Sequence, residues 1–155
     1  VMLPAFIEGG RITRDSVHYV KEGDKDIPVG ETPFAQDPHF GFQSSNLRDY
    51  VVEKTNGQVS VSQVKSVTLN DMRENQRAGI DTGVENTMKI LQSCDHNDVV
   101  VVDLEEMSDM NIFLTALLKC EHDSKEYAFV YRTAASFVSA RCGIAPKPLL
   151  TAADI

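Results

Sequence analysis

The segment YRTAAS, residues 131–136, brings an arginine, a threonine and a serine together where an apolar run meets a helical pattern. The guanidinium of Arg132 offers a planar fork of donors that suits a carboxylate or a phosphate. The hydroxyl of Thr133 can cap a helix, and the free N–H groups after it carry the positive end of the helix dipole. The segment predicts either an anion site or a helix cap beside a structural ion pair of Arg132, with Asp103 as the candidate partner. Spacing alone favours the cap.

Two other segments carry similar polar groups. In EGGR, residues 8–11, the glycine pair before Arg11 can form a backbone nest for an anion or a simple turn, and the turn is favoured. Asp103 follows a run of four valines and can orient a hydroxyl-rich ligand, although a carboxylate at a strand end more often caps a helix. Both alternatives stay open for each segment.

Familiar catalytic motifs do not occur in the sequence. Neither the phosphate loop GxxxxGK[ST] nor GxGxxG or GxSxG is present. The histidines and cysteines match no metal-ligand spacing, so we expect surface or loop histidines and reduced, buried thiols. These residues are His18, His39, His96, His122, Cys94, Cys120 and Cys142. The residues alone therefore indicate a possible anion site and no reaction.

Composition excludes further classes of function. The 155 residues carry a formal net charge of −8 without a basic cluster, which argues against a nucleic-acid partner. No apolar stretch approaches the roughly 18 residues of a membrane span, so we expect no membrane partner. We expect one α/β domain located in the cytoplasm.

The first half of the chain predicts strands, an irregular loop and one helix. Residues 1–6 form an apolar strand, and Val17–Val20 with Ile27–Val29 form a hairpin whose second arm Pro28 keeps at an edge. Residues 30–42 should be an irregular, well-packed loop. A helix capped by Ser44 or Ser45 follows and ends at Gly57.

The second half alternates strands and helices. The predicted strands are 65–69, 98–104 and 127–132, and the predicted helices are 84–94, 108–120 and 133–142, with Ser108 as a cap and Gly143 as a terminator. Four consecutive valines indicate a strand buried on both faces. We predict an open, mostly parallel sheet with helices on both faces and an irregular hairpin and loop insertion. Ligands of such sheets gather at the carboxyl ends of the strands, where Arg11, Asp103 and Arg132 should lie.

Three segments resemble one family, the four-carbon acid sugar kinases, formerly a domain of unknown function. They are LPAFIEGGRIT with VHYVKEG, the long PVGETPFAQDPHFGFQSSNLRDYVVEKT, and YRTAASFVSARCGIAPKPLL. The matches are ordered along nearly the whole chain and are weakest over residues 58–100. Ile7 departs from the pattern, because a second proline is common at that place in the family.

The resemblance implies a part of an enzyme that transfers a phosphoryl group from ATP to a hydroxyl of threonate, erythronate or an oxo-tetronate. Residues 1–155 would be the later part of its N-terminal sugar-acid-binding domain, and residues 144–155 would begin the linker to a C-terminal nucleotide-binding domain. ATP and Mg²⁺ would serve the full-length enzyme and would not bind this part, which we expect to be inactive alone. The family's acidic opening motif would precede Val1, so no catalytic residue is carried over.

Within that resemblance, Arg11, Arg132, Thr133 and Ser136 are the predicted lining of the sugar-acid pocket, with Asp103 in reserve. A carboxylate with several hydroxyls calls for an arginine and a few neutral donors. Two alternatives stay open, a non-catalytic ligand-binding or regulatory module and a structural subunit. Whether the chain forms a homo-oligomer is also left open.

Overall fold

The computed structural model describes residues 1–73, 80–123, 128–145, 147 and 151–152. Within these residues the strands are β1 (Met2–Leu3), β2 (Arg11–Arg14), β3 (Val17–Glu22), β4 (Lys25–Pro28), β5 (Val64–Val67), β6 (Val99–Val102) and β7 (Arg132–Thr133). The α-helices are α1 (Leu47–Lys54), α2 (Leu69–Arg73), α3 (Ile80–Gln92), α4 (Met107–Asp123) and α5 (Ala135–Arg141).

A parallel sheet of four strands carries the fold, in the order β5-β6-β1-β7. Each neighbouring pair is parallel, with Val67 opposite Val102 and Met2 opposite both Val101 and Arg132. The valine run forms an inner strand of this sheet, with Val100, Val101 and Val102 all buried. The predicted parallel α/β fold is therefore confirmed.

Helices cover both faces of the sheet, as predicted. Because successive strand residues point to opposite faces, Met2 and Val101 pack with Leu47 and Val51 of α1. Leu3 lies on the other face, in the larger apolar core that α2, α3, α4 and α5 build. The core residues from these four helices include Met72, Val84, Leu91, Phe113, Leu117 and Phe137.

A separate antiparallel sheet, β2-β3-β4, lies beyond the carboxyl end of β6. The predicted hairpin is its β3-β4 pair, and Pro28 lies in the edge strand opposite Tyr19. Strand β2 was not predicted, because RITR is short and half of it is arginine. Thr13 of β2 exchanges two backbone hydrogen bonds with Leu104, at 2.9 and 2.8 Å, and so attaches this sheet to the segment after β6.

Three predicted helix caps are wrong. Helix α1 is capped by Asn46, whose side chain accepts the Arg48 N–H at 2.9 Å, and not by Ser44 or Ser45. Ser108 lies inside α4, because that helix begins one residue earlier. Thr133 pairs in β7, and the first residue of α5 follows Ala134, which provides no side-chain cap.

Other boundaries differ modestly from those predicted. Strands β1 and β7 have only two residues each, and β5 ends two residues before Leu69, where α2 begins. Residue 127 of the predicted last strand, residues 74–79 and most of the predicted linker at 144–155 lie outside the described residues. Gly57 and Gly143 have positive φ of 76° and 63°, as left-handed helix terminators require.

Burial corrects two predictions about single residues. His18 lies in β3 and is only 6% exposed, so the expected surface or loop role is wrong for this histidine. Cys142 is exposed, whereas Cys120 is buried and Cys94 is half-buried, and all three thiols are free. None of the described helices has the length and apolar character needed to cross a membrane.

Candidate functional site

A cavity of about 370 Å³ opens at the carboxyl ends of β1 and β7. Its size falls within the usual range for small-molecule sites. The two-stranded part β2-β3 forms one wall, and the start of α1 with the preceding loop forms another. The lining residues are Met2, Pro4, Arg11, His18, Val20, Val29, Phe34, Phe42, Ser44, Leu47, Tyr50, Arg132, Thr133 and Ala134.

Two arginines give this cavity a positive character. Arg11 enters from β2 and Arg132 from β7, and the described lining contains no carboxylate. In a chain with a net charge of −8, this local excess of positive charge favours an anionic ligand at this place. The remaining lining is apolar or neutral, so a ligand with hydroxyl groups can also be accommodated.

Arg132 is held by Tyr50 and not by Asp103. Its Nη2 donates to the Tyr50 hydroxyl at 2.8 Å, and its Cζ lies 5.3 Å from the centroid of the Tyr50 ring. The Tyr50 ring in turn meets Phe42 edge to face, with centroids 5.5 Å apart. The expected ion pair of Arg132 with Asp103 is thus replaced by a cation–π contact and a neutral hydrogen bond. This arrangement leaves the guanidinium without a charge partner among these contacts.

Arg11 is placed by the turn that precedes it. The N–H groups of Gly9 and Gly10 bond to the carbonyls of Phe6 and Ile7, and the Arg11 N–H also bonds to Phe6, so the segment is a tight turn. Gly10 has a φ of 66°, and a Cβ on Gly9 would lie 2.4 Å from the Phe6 ring. The guanidinium of Arg11 lies over that ring, 5.2 Å from its centroid. Glycine at both positions therefore permits the packing that supports Arg11.

Thr133 is the last residue of β7 and is half-buried at the cavity wall. Its neighbour Ala134 donates its N–H to the Leu3 carbonyl at 3.3 Å, which fixes the backbone where the chain leaves the sheet. Thr133 pairs in register with Leu3, as Arg132 does with Met2. The parallel pairing thus places two adjacent predicted site residues at the cavity.

Ser136 lies elsewhere. It is 1% exposed within α5, its hydroxyl accepts the Ile7 N–H at 3.1 Å, and it donates to the Glu8 carboxylate. That bond is the main cause that lowers the pKa of Glu8. The structure therefore brings Arg11, Arg132 and Thr133 together at one cavity and places Ser136 outside its lining.

Asp103 also lies outside the cavity lining. It is 1% exposed, and one carboxylate oxygen accepts the Ser16 N–H at 2.8 Å. Its other oxygen has no hydrogen-bond partner within the described part of the chain. Burial raises the pKa of Asp103, and the Ser16 N–H acts in the opposite direction. Asp103 therefore contacts the turn between β2 and β3, not the cavity.

His18 is a cavity residue that the sequence prediction missed. Its Nδ1 lies 3.0 Å from the hydroxyl of the fully buried Thr13, its partner across β2 and β3. Burial, with a smaller contribution from the Arg11 charge, lowers its pKa to about 4, so His18 is neutral near pH 7. A neutral imidazole can exchange a hydrogen bond with a hydroxyl group. The sequence signal that could have identified His18 is the alternation of side chains along a strand, because His18 and Val20 lie on the same face of β3.

The lowered pKa of His18 predicts a stability loss in mild acid. The unfolded chain binds a proton as pH falls through 6.5, whereas folded His18 binds one only near its pKa of about 4. The free energy of unfolding should therefore be full above pH 6.5 and fall by up to about 3 kcal/mol between pH 6.5 and 4. Urea unfolding at pH 7 and 4.5 measures this loss.

His18→Gln should remove that part of the pH dependence, because glutamine does not titrate. His122→Gln, at an exposed position in the last turn of α4, should keep it. Equal losses in the wild-type protein and His18→Gln would contradict the assignment.

Among the described residues, no group of three or more histidine, cysteine, aspartate or glutamate side chains could hold a metal ion. The family model described as a sugar-binding N-terminal domain matches residues 1–141. No curated protein matches the chain.

Proposed function

The chain belongs to the sugar-binding N-terminal domain family, and we propose that it binds a small sugar acid in the cavity between Arg11 and Arg132. The observation that carries this proposal is the pair of arginines lining one cavity whose described lining has no carboxylate. A sugar acid is ionised at neutral pH, so a guanidinium can bind its carboxylate through charge-assisted hydrogen bonds. The family match supports a sugar as the ligand, and the two arginines support a ligand with an acidic group.

The hydroxyl groups of such a ligand require neutral partners. His18 and the hydroxyl of Thr133 are neutral cavity residues, and the Tyr50 hydroxyl lies beside Arg132. Groups of this kind hydrogen-bond hydroxyls without the desolvation penalty of a second charge. We assign recognition of the carboxylate to the arginines and recognition of the hydroxyls to His18 and Thr133. Ser136 would act through the Glu8 loop and not by direct contact.

We further propose that the full-length protein is a kinase for a four-carbon sugar acid such as threonate, erythronate or an oxo-tetronate. Support comes from the ordered resemblance of the EGGR, QSSNLR and YRTAAS segments to that kinase family. The sequence has no phosphate-loop motif, which supports placing the ATP site outside residues 1–155. In this proposal a C-terminal nucleotide-binding domain of the same chain would bind ATP and Mg²⁺, and the present domain would position the acceptor acid.

The test uses the full-length protein with threonate, erythronate and oxo-tetronates, and the uncharged tetritols as matched ligands without the carboxylate. Calorimetry should show binding of at least one acid and much weaker binding of the tetritols. With ATP and Mg²⁺, phosphorus NMR should show a new phosphate ester of the acid that binds. Binding without transfer would favour the non-catalytic module. Failure to bind any of the acids would overturn both proposals.

A further inference from the structure

We propose that Asp103 is a positioning residue for the cavity, acting through the turn that joins β2 and β3. This inference rests on the proposed sugar-acid site. The two turn residues, Asp15 and Ser16, both have positive φ, at 51° and 62°. A two-residue turn of this kind suits the twist of a hairpin, but the left-handed backbone is unfavourable for residues other than glycine. Other contacts must therefore hold the turn in place.

Ser16 is where those contacts meet. Its N–H donates to the buried carboxylate of Asp103 at 2.8 Å, and its carbonyl accepts the Leu47 N–H at 2.7 Å. Its hydroxyl lies 3.1 Å from that of Ser66 in β5. One turn residue thus connects the end of β6, the start of α1 and a second strand of the main sheet.

The strands on either side of this turn carry cavity residues. Arg11 lies at the start of β2, and His18 lies near the start of β3. Thr13 pairs with His18 across the hairpin and with Leu104 next to Asp103. Movement of the turn would therefore shift Arg11 and His18 relative to Arg132, which belongs to the other sheet. Small misplacement of binding groups is enough to weaken a site.

The buried carboxylate faces backbone N–H groups: besides Ser16, the backbone N–H groups of Asp15 and Leu69 lower the pKa of Asp103 against the effect of burial. Asp103 does not line the cavity, and its second oxygen has no hydrogen-bond partner within the described ranges. Burying a charge with a free oxygen is unfavourable, so the bond to Ser16 must offset part of that cost. An alanine at position 103 would leave the Ser16 N–H without its acceptor, whereas an asparagine retains an acceptor oxygen.

The test compares Asp103→Ala and Asp103→Asn in the full-length protein, with threonate and erythronate as probes. Asp103→Ala should weaken acid binding by about tenfold or more, and Asp103→Asn should stay within about threefold of wild type. Asp98→Ala is the matched control, because Asp98 precedes the opposite end of the same strand, pairs with Lys65 at 3.8 Å and does not line the cavity.

A second readout separates positioning from a general loss of stability. The pKa of His18, measured by NMR of labelled histidine, should rise from about 4 toward 6.5 in Asp103→Ala, because the hairpin shifts and the ring becomes hydrated. Loss of the Asp103 charge alone would move it the other way. If Asp103→Ala does not fold, the same measurements are made on Asp15→Gly/Asp103→Ala. Glycine at the exposed position 15 relieves the backbone strain of the turn.

Each outcome decides the inference. Weakened binding with a raised His18 titration in the alanine variant, and near-normal values in Asp103→Asn, would support it. Lost binding in Asp103→Asn with an unchanged His18 titration would instead indicate direct ligand contact. Unchanged affinity and titration in Asp103→Ala would show a purely structural aspartate. If the wild-type protein binds no acid, the proposed function fails, and the His18 titration still tests whether Asp103 holds the hairpin.

Discussion

Arg132→Ala is expected to weaken binding of the sugar acid by about 1.5–3 kcal/mol, or roughly 10- to 150-fold in Kd. The reason is that a carboxylate in the cavity would lose a charge-assisted hydrogen bond that an alanine cannot replace. Arg132→Lys should recover part of the loss, because an ammonium keeps the charge but not the planar fork or the stacking on Tyr50. Calorimetry on the full-length protein measures each affinity.

Two controls make this result specific. Arg141→Ala removes an arginine of α5 that pairs with Glu121 at 2.5 Å and does not line the cavity, so acid affinity should not change. Binding of an uncharged tetritol, where measurable, should change little in Arg132→Ala. If Arg132→Ala bound the acid with wild-type affinity, Arg132 would not contribute to acid binding.

Arg73→Ala is expected to produce a large loss of folding stability, about 3 kcal/mol. Two nitrogens of Arg73 bind the two carboxylate oxygens of Asp109, each at 2.7 Å, and Asp109 is 1% exposed. Removing the guanidinium leaves a buried carboxylate without its cation. We place the loss at the low end of the range for buried pairs because the Arg73 side chain is 30% exposed.

Urea unfolding of Arg73→Ala and of Arg141→Ala tests this expectation. Both partners of the Arg141–Glu121 pair are partly exposed, so Arg141→Ala should cost about 1 kcal/mol or less. The double variant Arg73→Met/Asp109→Asn should regain part of the lost stability, because it leaves no buried charge and keeps an acceptor oxygen at position 109. A loss below 1 kcal/mol in Arg73→Ala would contradict the expectation. It would show that the hydrogen bonds Asp109 accepts from the Glu105 and Glu106 N–H groups suffice to stabilise its buried charge.

The main sheet was predictable because its signal is local. Four valines in a row make both faces of a strand apolar, which indicates burial on both sides. The helices around it show apolar stripes of helical period. The hairpin β3-β4 was predictable for the same reason, since a charged Gly-Asp turn separates two β-type runs. These features depend on residues close together in sequence.

The missed elements depend on distant partners. Strand β2 exists because RITR pairs with β3 and because Thr13 bonds to Leu104, ninety-one positions further along the chain. Thr133 was assigned to a cap because its pairing with Leu3 cannot be seen in the local pattern. The burial of His18 likewise depends on a distant partner, because its N–H in β3 bonds to the carbonyl of Ser45, just before α1. Long-range contacts of this kind leave little trace in a single sequence.

The candidate site shows the same division. The rule that ligands bind at the carboxyl ends of parallel strands directed attention to Arg11, Asp103, Arg132, Thr133 and Ser136. Arg11, Arg132 and Thr133 line one cavity, whereas Asp103 and Ser136 do not. The rule did not identify Tyr50, which orients Arg132 from a helix 82 positions away in sequence. It also did not separate Ser136, whose hydroxyl bonds to Glu8. The roles of Arg11, Arg132 and Thr133 in ligand binding stay predictions.

The most direct test of the account is a crystal structure of the full-length protein with the four-carbon acid that binds most tightly. We predict that the acid occupies the cavity at the ends of β1 and β7, with its carboxylate hydrogen-bonded to Arg132 or Arg11 and a hydroxyl group beside His18. An acid bound elsewhere, with both guanidinium groups still resting on Phe6 and Tyr50, would contradict it.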